Sequence, residues 1–192
     1  MTLPDADAAI AAILPQVPRL GWTMAAARAG MADLGGSPAD AGLLFPRGTA
    51  DLLDGFAALA DRWMAEDAAA ADMSGQRAAG RVRAVILLRL ERLRPHREAV
   101  RRAAGHVGQC RARARTVDAI WHVAGDTLEG ASRHSKRLLL GGVFASTMLV
   151  WLRETDAAAT AAFLDRRLAD VRRIGEFRTR LGNMFSPRPS SV

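Results

Sequence analysis

Val117–Arg153, VDAIWHVAGDTLEGASRHSKRLLLGGVFASTMLVWLR, decides the fold. It reads as two apolar helices joined by a short polar hinge. The second, Leu138–Leu152, is apolar almost all the way round. A helix of that kind must be wrapped by protein or face something greasy. It is shorter than the ~20 apolar residues that a bilayer span requires. It therefore predicts either the spine of a helical bundle or the wall of an apolar cavity inside one.

The rest of the chain agrees with helices. Of 192 residues, 49% are hydrophobic, much of that Ala and Leu, and only 5% are aromatic, with no Tyr. Ala and Leu favour helices, and β-branched runs with period-two alternation are absent. The predicted class is all-α. Asp5–Leu14 predicts a first helix ended by Pro15 and Pro18. Thr23 caps a second reaching Met31, and Gly35-Gly36 follows it. Ser37-Pro38 opens a short third helix stopping near Phe45-Pro46. Thr49 begins a long helix with Leu52, Leu53, Phe56, Leu59, Ala60, Trp63 and Met64 at helical spacing, which Asp67–Asp72 either continues or frays. Ser74 is read as the cap of the next helix, and Pro95 as opening another through Ala104. Gly105–Gly108 is read as a turn, Arg111–Ala124 and Ser135–Arg153 as the two central helices, and Thr155 as the cap of a last helix to about Leu181. Gly182 and Asn183 predict an early stop, and Ser186–Val192 an unstructured tail. The domain reading is 1–48 as an N-terminal unit, 49–155 as the core, 156–185 as an amphipathic helix and 186–192 as the tail.

The formal charge is +7, and Lys136 is the only lysine among the cations. Clustered cations would favour phosphate, on nucleic acid or on lipid. Cys110 is alone, so neither a disulfide framework nor a cysteine metal site is expected, and the natural compartment is reducing and cytosolic. MTLPDADAAI has acids and no basic flank before an apolar run, unlike a secretory signal. No HExxH, P-loop or dinucleotide fingerprint occurs. His96, His106, His122 and His134 are scattered, and no carboxylates are paired at a spacing suited to acid–base work. No catalytic residue, metal ligand or cofactor is assigned, which argues for a binding or accessory protein rather than an enzyme.

The N-terminal glycines and aromatics, Gly21-Trp22-Thr23, Gly30, Gly36-Ser37 and Phe45-Pro46-Arg47-Gly48, outline a helix-turn-helix like that of TetR-type repressors. Base reading needs donors or acceptors on the third helix. That helix reads Ser-Pro-Ala-Asp-Ala-Gly-Leu-Leu, without Arg, Asn or Gln, and Asp40 repels phosphate. The reading favoured is a packing module that no longer binds DNA. A DNA-binding regulator is the alternative.

On the last helix, Ile174, Phe177, Leu181, Met184 and Phe185 gather on one stripe at about 100° per residue. Arg172, Arg173, Glu176 and Arg180 lie opposite. A basic amphipathic helix of this kind predicts a membrane-surface element. A stripe packed on its own domain or on a dimer partner is the other reading. The membrane candidates are Arg173, Ile174, Phe177, Arg180 and Leu181.

An ordered set of segments then resembles the coenzyme Q biosynthesis protein nine family. They are Leu14–Pro18 with Gly21-Trp22-Thr23, Leu44–Gly48, Pro95–Ala103, Asp118–Trp121 with Ala124–Thr127, Lys136-Arg137 and Phe163–Val171. The resemblance implies a TetR-like helical fold without repressor function and an apolar cavity holding isoprenoid lipid. It also implies a C-terminal helix docking on membranes, a homodimer, and presentation of a quinone precursor to a ring hydroxylase. The expected cavity wall is Leu139, Val143, Phe144, Thr147, Met148 and Trp151, opposed by Ile120 and Trp121, with Gly141, Gly142, Ala145 and Ser146 keeping one face thin. Localisation is then cytoplasmic, peripheral on the inner face of the membrane. Where family members carry adjacent Trp and Tyr on the patch associated with the hydroxylase, this chain has Arg133 and His134 within Leu128–Ser135. That departure points to a divergent member.

Overall fold

The structure, a computed structural model, describes residues 4–106, 110–125 and 133–185, with side chains described in those ranges apart from residues 110, 133 and 174–185. The described residues form helices and connecting turns, and the chain divides into two compact units, Met1–Gly141 and Gly142–Val192.

In the first unit, Asp5 caps α1 (Ala6–Ile13) by accepting from the Asp7 and Ala8 amides. Pro15 and Pro18 do not end the helical path as expected. Each falls in the first turn of a new short piece, a 3-10 turn at Leu14–Gln16 and α2 (Val17–Leu20), where proline's missing N–H leaves no helical bond unmade. Thr23 caps α3 (Met24–Asp33) as expected, its hydroxyl accepting from the Ala26 amide at 3.3 Å. Ser37 opens a 3-10 turn at Pro38–Asp40 and a single turn, α4 (Ala41–Leu44). Gly48, at φ +62°, a backbone suited to glycine, leads into the long helix α5 (Thr49–Ala70).

α6 (Ala78–Arg92) starts later than Ser74 predicts, because Ser74 is engaged elsewhere: its hydroxyl and its amide both donate to Asp72 Oδ1, at 2.6 and 3.0 Å. A 3-10 turn at Arg94–His96 leads into α7 (Arg97–Ala104), and α8 (Cys110–Val123) follows. Part of the Gly105–Gly108 turn expectation falls on residues 107–108, outside the described residues.

α1 packs on α3 and α5, and α5 packs on α6 and α8. A Cβ on Gly30 would lie 2.8 Å from Ile13 Cγ1 and 2.9 Å from the Ile13 backbone nitrogen, so α1 and α3 approach as closely as they do only because residue 30 is glycine. Trp22 fixes this module to the rest of the unit. Its ring centroid is 4.9 Å from that of Phe56, and its indole N–H donates to the Ala99 carbonyl on α7 at 2.9 Å. Arg102 also donates to the Pro18 carbonyl at 2.9 Å.

A buried polar node joins α5, α6 and α8. Arg89 Nη1 lies 2.6 Å from Asp61 Oδ1, and the Thr116 hydroxyl donates to the same carboxylate at 2.9 Å. Burial pushes the Arg89 pKa below its ordinary value, against the opposing pull of Asp61.

α9 (Arg133–Arg153) runs from the first unit into the second, and α10 (Ala157–Phe185) completes the second. The cap of α10 is Asp156 rather than Thr155: its carboxylate accepts from the Ala158 and Ala159 amides at 2.8 and 3.3 Å. Gly182 and Asn183 do not stop this helix, which continues to Phe185. Residues 126–132 and the tail expectation at 186–192 lie outside the described residues.

Candidate functional site

Of the expected cavity-wall residues, Ile120, Trp121 and Leu139 belong to the first unit and Val143, Phe144, Thr147, Met148 and Trp151 to the second. Ile120 is fully buried on α8, and Trp121, next to it, is half-buried. The Trp121 indole N–H is buried and has no acceptor among the described residues. Lys136 Nζ lies 5.9 Å from the centroid of the same ring. Arg137 Nε, 2.8 Å from Asp118 Oδ1, ties the start of α9 to α8. A Cβ on Gly141 would sit 3.8 Å from Val117 Cγ2, an ordinary contact, so this glycine marks where the two helices run close. Leu139 is half-buried, while its neighbour Leu140, which the helical phase did not single out, is buried.

In the second unit Val143, Phe144, Thr147 and Trp151 are all buried and Met148 is half-buried. Steps of one, four and eight residues from Val143 put the buried four on one side of the helix. The Thr147 side chain is 0% exposed, and its hydroxyl has no partner among the described residues. Among the described residues, other apolar positions of α9 are open, which leaves both expectations for this helix standing, wrapped by protein or facing something greasy. Leu138 is 78% and Leu149 56% exposed, Ala145 is exposed, and a Cβ on Gly142 would meet nothing within 4 Å. On α10, Thr160 and Leu164 are buried, and the guanidinium carbons of Arg166 and Arg167 stand 5.9 and 5.4 Å from the Phe163 ring centroid.

Arg173, of the membrane set, is exposed, with a guanidinium nitrogen 3.9 Å from Asp170. Ile174, Phe177, Arg180 and Leu181 lie on the helical backbone of α10, and their side chains are outside the described residues. His134 is exposed in the first turn of α9, and Arg133 begins that helix.

The segment that would read DNA is a 3-10 turn and one helical turn, with Leu43 70% exposed. The nearest cation after it, Arg47, is held by Asp51 at 2.6 Å and Asp54 at 3.2 Å. Among the described residues no three His, Cys, Asp or Glu side chains group as a metal site, and no helix is long and apolar enough to cross a membrane.

Sequence reasoning missed an open groove of about 520 Å³ in the first unit, lined by Asp67, Ala70, Ala71, Leu88, Glu91, Arg92 and Pro95. It forms because α5 continues to Ala70 and brings an alanine floor beside Leu88 of α6. None of the expected cavity-wall residues lines it, and its openness suits a shallow contact rather than a sheltered chain.

Comparison with known proteins separates fold from family. Residues 108–175 match the COQ9 family model. A stretch of 62 residues is 36% identical to the ubiquinone biosynthesis protein COQ9-A, mitochondrial, of Xenopus laevis. That stretch is 31% of this chain and 20% of the relative, so the matched part spans about a fifth of the relative's length. In three dimensions the chain is similar to a TetR transcriptional regulator from Nitrosomonas europaea ATCC 19718. The TM-score is 0.65 at 21% identity, covering 85% of this chain and 95% of that one. At that identity the likeness speaks for the fold alone: the chain has a TetR-like all-α fold.

Proposed function

We propose, from the match of residues 108–175 to the COQ9 family model, that the chain is a non-enzymatic lipid-binding accessory protein of ubiquinone biosynthesis. It binds an isoprenoid quinone precursor and presents it to a ring-modifying hydroxylase. One observation carries this reading: the matched segment contains every residue expected in the cavity wall, from Ile120 to Trp151. The buried apolar face of Val143, Phe144 and Trp151 supports it. Each methylene of a prenyl tail withdrawn from water contributes ~0.8 kcal/mol, so a long tail needs few polar contacts.

The chain works at the cytoplasmic face of a membrane, docked through α10 by Arg173, Ile174, Phe177, Arg180 and Leu181. It acts as a homodimer, and Arg133 and His134 face the enzyme partner. The base-reading segment lacks Arg, Asn and Gln, which favours this reading over a DNA-binding regulator.

Mass spectrometry of an organic extract of the purified full chain tests the central claim. A co-purified prenylated lipid is expected. Protein that carries no lipid and takes up none from prenylquinone-loaded vesicles would refute it. Flotation with anionic vesicles tests the membrane element: the full chain floats, and F177E/L181E reduces the floating fraction severalfold. Equal flotation of the two proteins removes α10 from the reading.

A further inference from the structure

Thr147 carries an inference that deepens the lipid-binding proposal and rests on it. Among the described residues the buried threonines are Thr116, Thr147 and Thr160. The Thr116 hydroxyl donates to Asp61 at 2.9 Å, and that of Thr160 to the Asp156 carbonyl at 3.3 Å. Thr147, 0% exposed, has no partner among the described residues. Its own helix offers an acceptor, as the preceding residue demonstrates: the Ser146 hydroxyl donates to the Gly142 and Val143 carbonyls at 2.8 and 3.0 Å. Threonine in a helix commonly bonds the carbonyl three or four residues back. Thr147 instead keeps its hydroxyl off its own backbone.

A buried hydroxyl without a partner disfavours the folded state by ~1–3 kcal/mol. Valine has the same shape without that penalty, and α9 already accommodates Val143 and Val150. Water is a poor substitute partner, because a buried water needs two to four polar contacts. The buried residues one turn either side on this face are Val143, Phe144 and Trp151.

We infer that the Thr147 hydroxyl donates a hydrogen bond to a neutral oxygen on the head of an otherwise apolar ligand. A ring carbonyl, phenol or ether oxygen fits this role. A carboxylate or phosphate does not, because a single hydroxyl cannot compensate a buried charge. Thr147 thus selects the chemistry of the head, and the apolar face holds the tail.

The test uses the full chain and its T147V and T147S variants. A prenylated p-benzoquinone and squalene, a hydrocarbon of comparable apolarity, are titrated in competition with a hydrophobic fluorescent dye. Wild type binds the quinone more tightly than squalene. T147V weakens quinone binding about tenfold, the scale of one hydrogen bond in a dry site, and leaves squalene binding unchanged. T147S retains the quinone preference. Without ligand, T147V melts no lower than wild type, because it loses no internal bond.

T147V protein that binds the quinone as wild type does would overturn the role of Thr147 while leaving lipid binding intact. A lowered melting temperature for unliganded T147V would also overturn it, by revealing an internal partner. Wild type that binds neither probe would remove the lipid reading and this inference together.

Discussion

Substituting Asp61 by alanine tests whether the node under α8 holds the candidate site in place. The Arg89 side chain is 6% exposed and Asp61 is 17% exposed, 2.6 Å apart. Removing the carboxylate takes the 2.6 Å ion pair with Asp61 from a buried guanidinium. It cannot escape by losing its proton: burial lowers the Arg89 pKa, but arginine stays protonated in proteins. Breaking a buried pair from one side costs about 3–5 kcal/mol. Thr116 also loses its acceptor, worth about 1 kcal/mol. The sum, ~4–6 kcal/mol, is a large share of the ~5–15 kcal/mol that holds a domain together. At a urea m-value of about 2 kcal/mol/M, the midpoint drops by ~2–3 M. Because Thr116 sits one helical turn before Ile120, the most protected amides of α8 should exchange ~1000-fold faster or more. The control is an apolar replacement of the whole node, D61L/R89M/T116V. It leaves no buried charge and should fall within about 2 kcal/mol of wild type. Two results would refute the reasoning: a D61A midpoint within about 0.5 M of wild type, or a control as damaged as the single variant.

Gly30→Ala gains helix propensity, but its Cβ meets the Ile13 backbone nitrogen at 2.9 Å. A net loss of ~1–3 kcal/mol follows from forcing α1 and α3 apart, read as a lower melting temperature. His96 has its pKa pushed below the ordinary 6.5, first by burial and then by Arg92. The unfolded chain therefore takes up the proton more readily, so stability holds above pH 6.5 and falls as pH drops below it. The melting temperature should decline from pH 7.5 to pH 5 less steeply in His96→Asn than in wild type, and parallel slopes would exclude His96 as the source. The exposed leucines of α9, Leu138 and Leu149, are eleven residues apart, about three helical turns. In the proposed homodimer the double variant L138E/L149E should sediment as a monomer with unchanged helicity. A persisting dimer would assign the seam elsewhere.

The fold was legible where one local rule acts alone. The 3.6-residue period announced α5, and Thr23 and Ser37-Pro38 marked helix starts that the structure keeps. It was less legible where two adjacent groups compete for one task. Thr155 and Asp156 are both capping types, and the carboxylate wins because it accepts from two amides at once. Ser74 looked like a cap until Asp72 claimed its hydroxyl. The pattern picked out most of the buried face of α9, Leu140 and Leu152 excepted, because burial follows helical phase. The unpartnered hydroxyl of Thr147 was not legible, since composition cannot tell whether a threonine bonds its own helix. The Asp67–Pro95 groove depends on where two helices end beside each other, which no local pattern encodes.

The TetR-like fold and the segment that matches the COQ9 family model make demands on different parts of the chain. Reading a base would fall to Pro38–Leu44, which offers Ala39, Gly42 and Leu43 to solvent. The N-terminal helices have a structural task apart from any base reading. Trp22 packs on Phe56 and bonds Ala99, Arg102 bonds Pro18, and α1 covers α5. Stripping the module would expose the buried face of α5, where Leu52, Leu53 and Phe56 lie. That same helix carries Asp61, the acceptor that fastens α8 through Thr116. The N-terminal helices therefore support α8 through α5, whatever the Pro38–Leu44 segment does. Substitutions at Leu43 should leave stability nearly unchanged, whereas Trp22→Ala should cost ~3–5 kcal/mol, a contrast that chemical denaturation of the two variants measures directly.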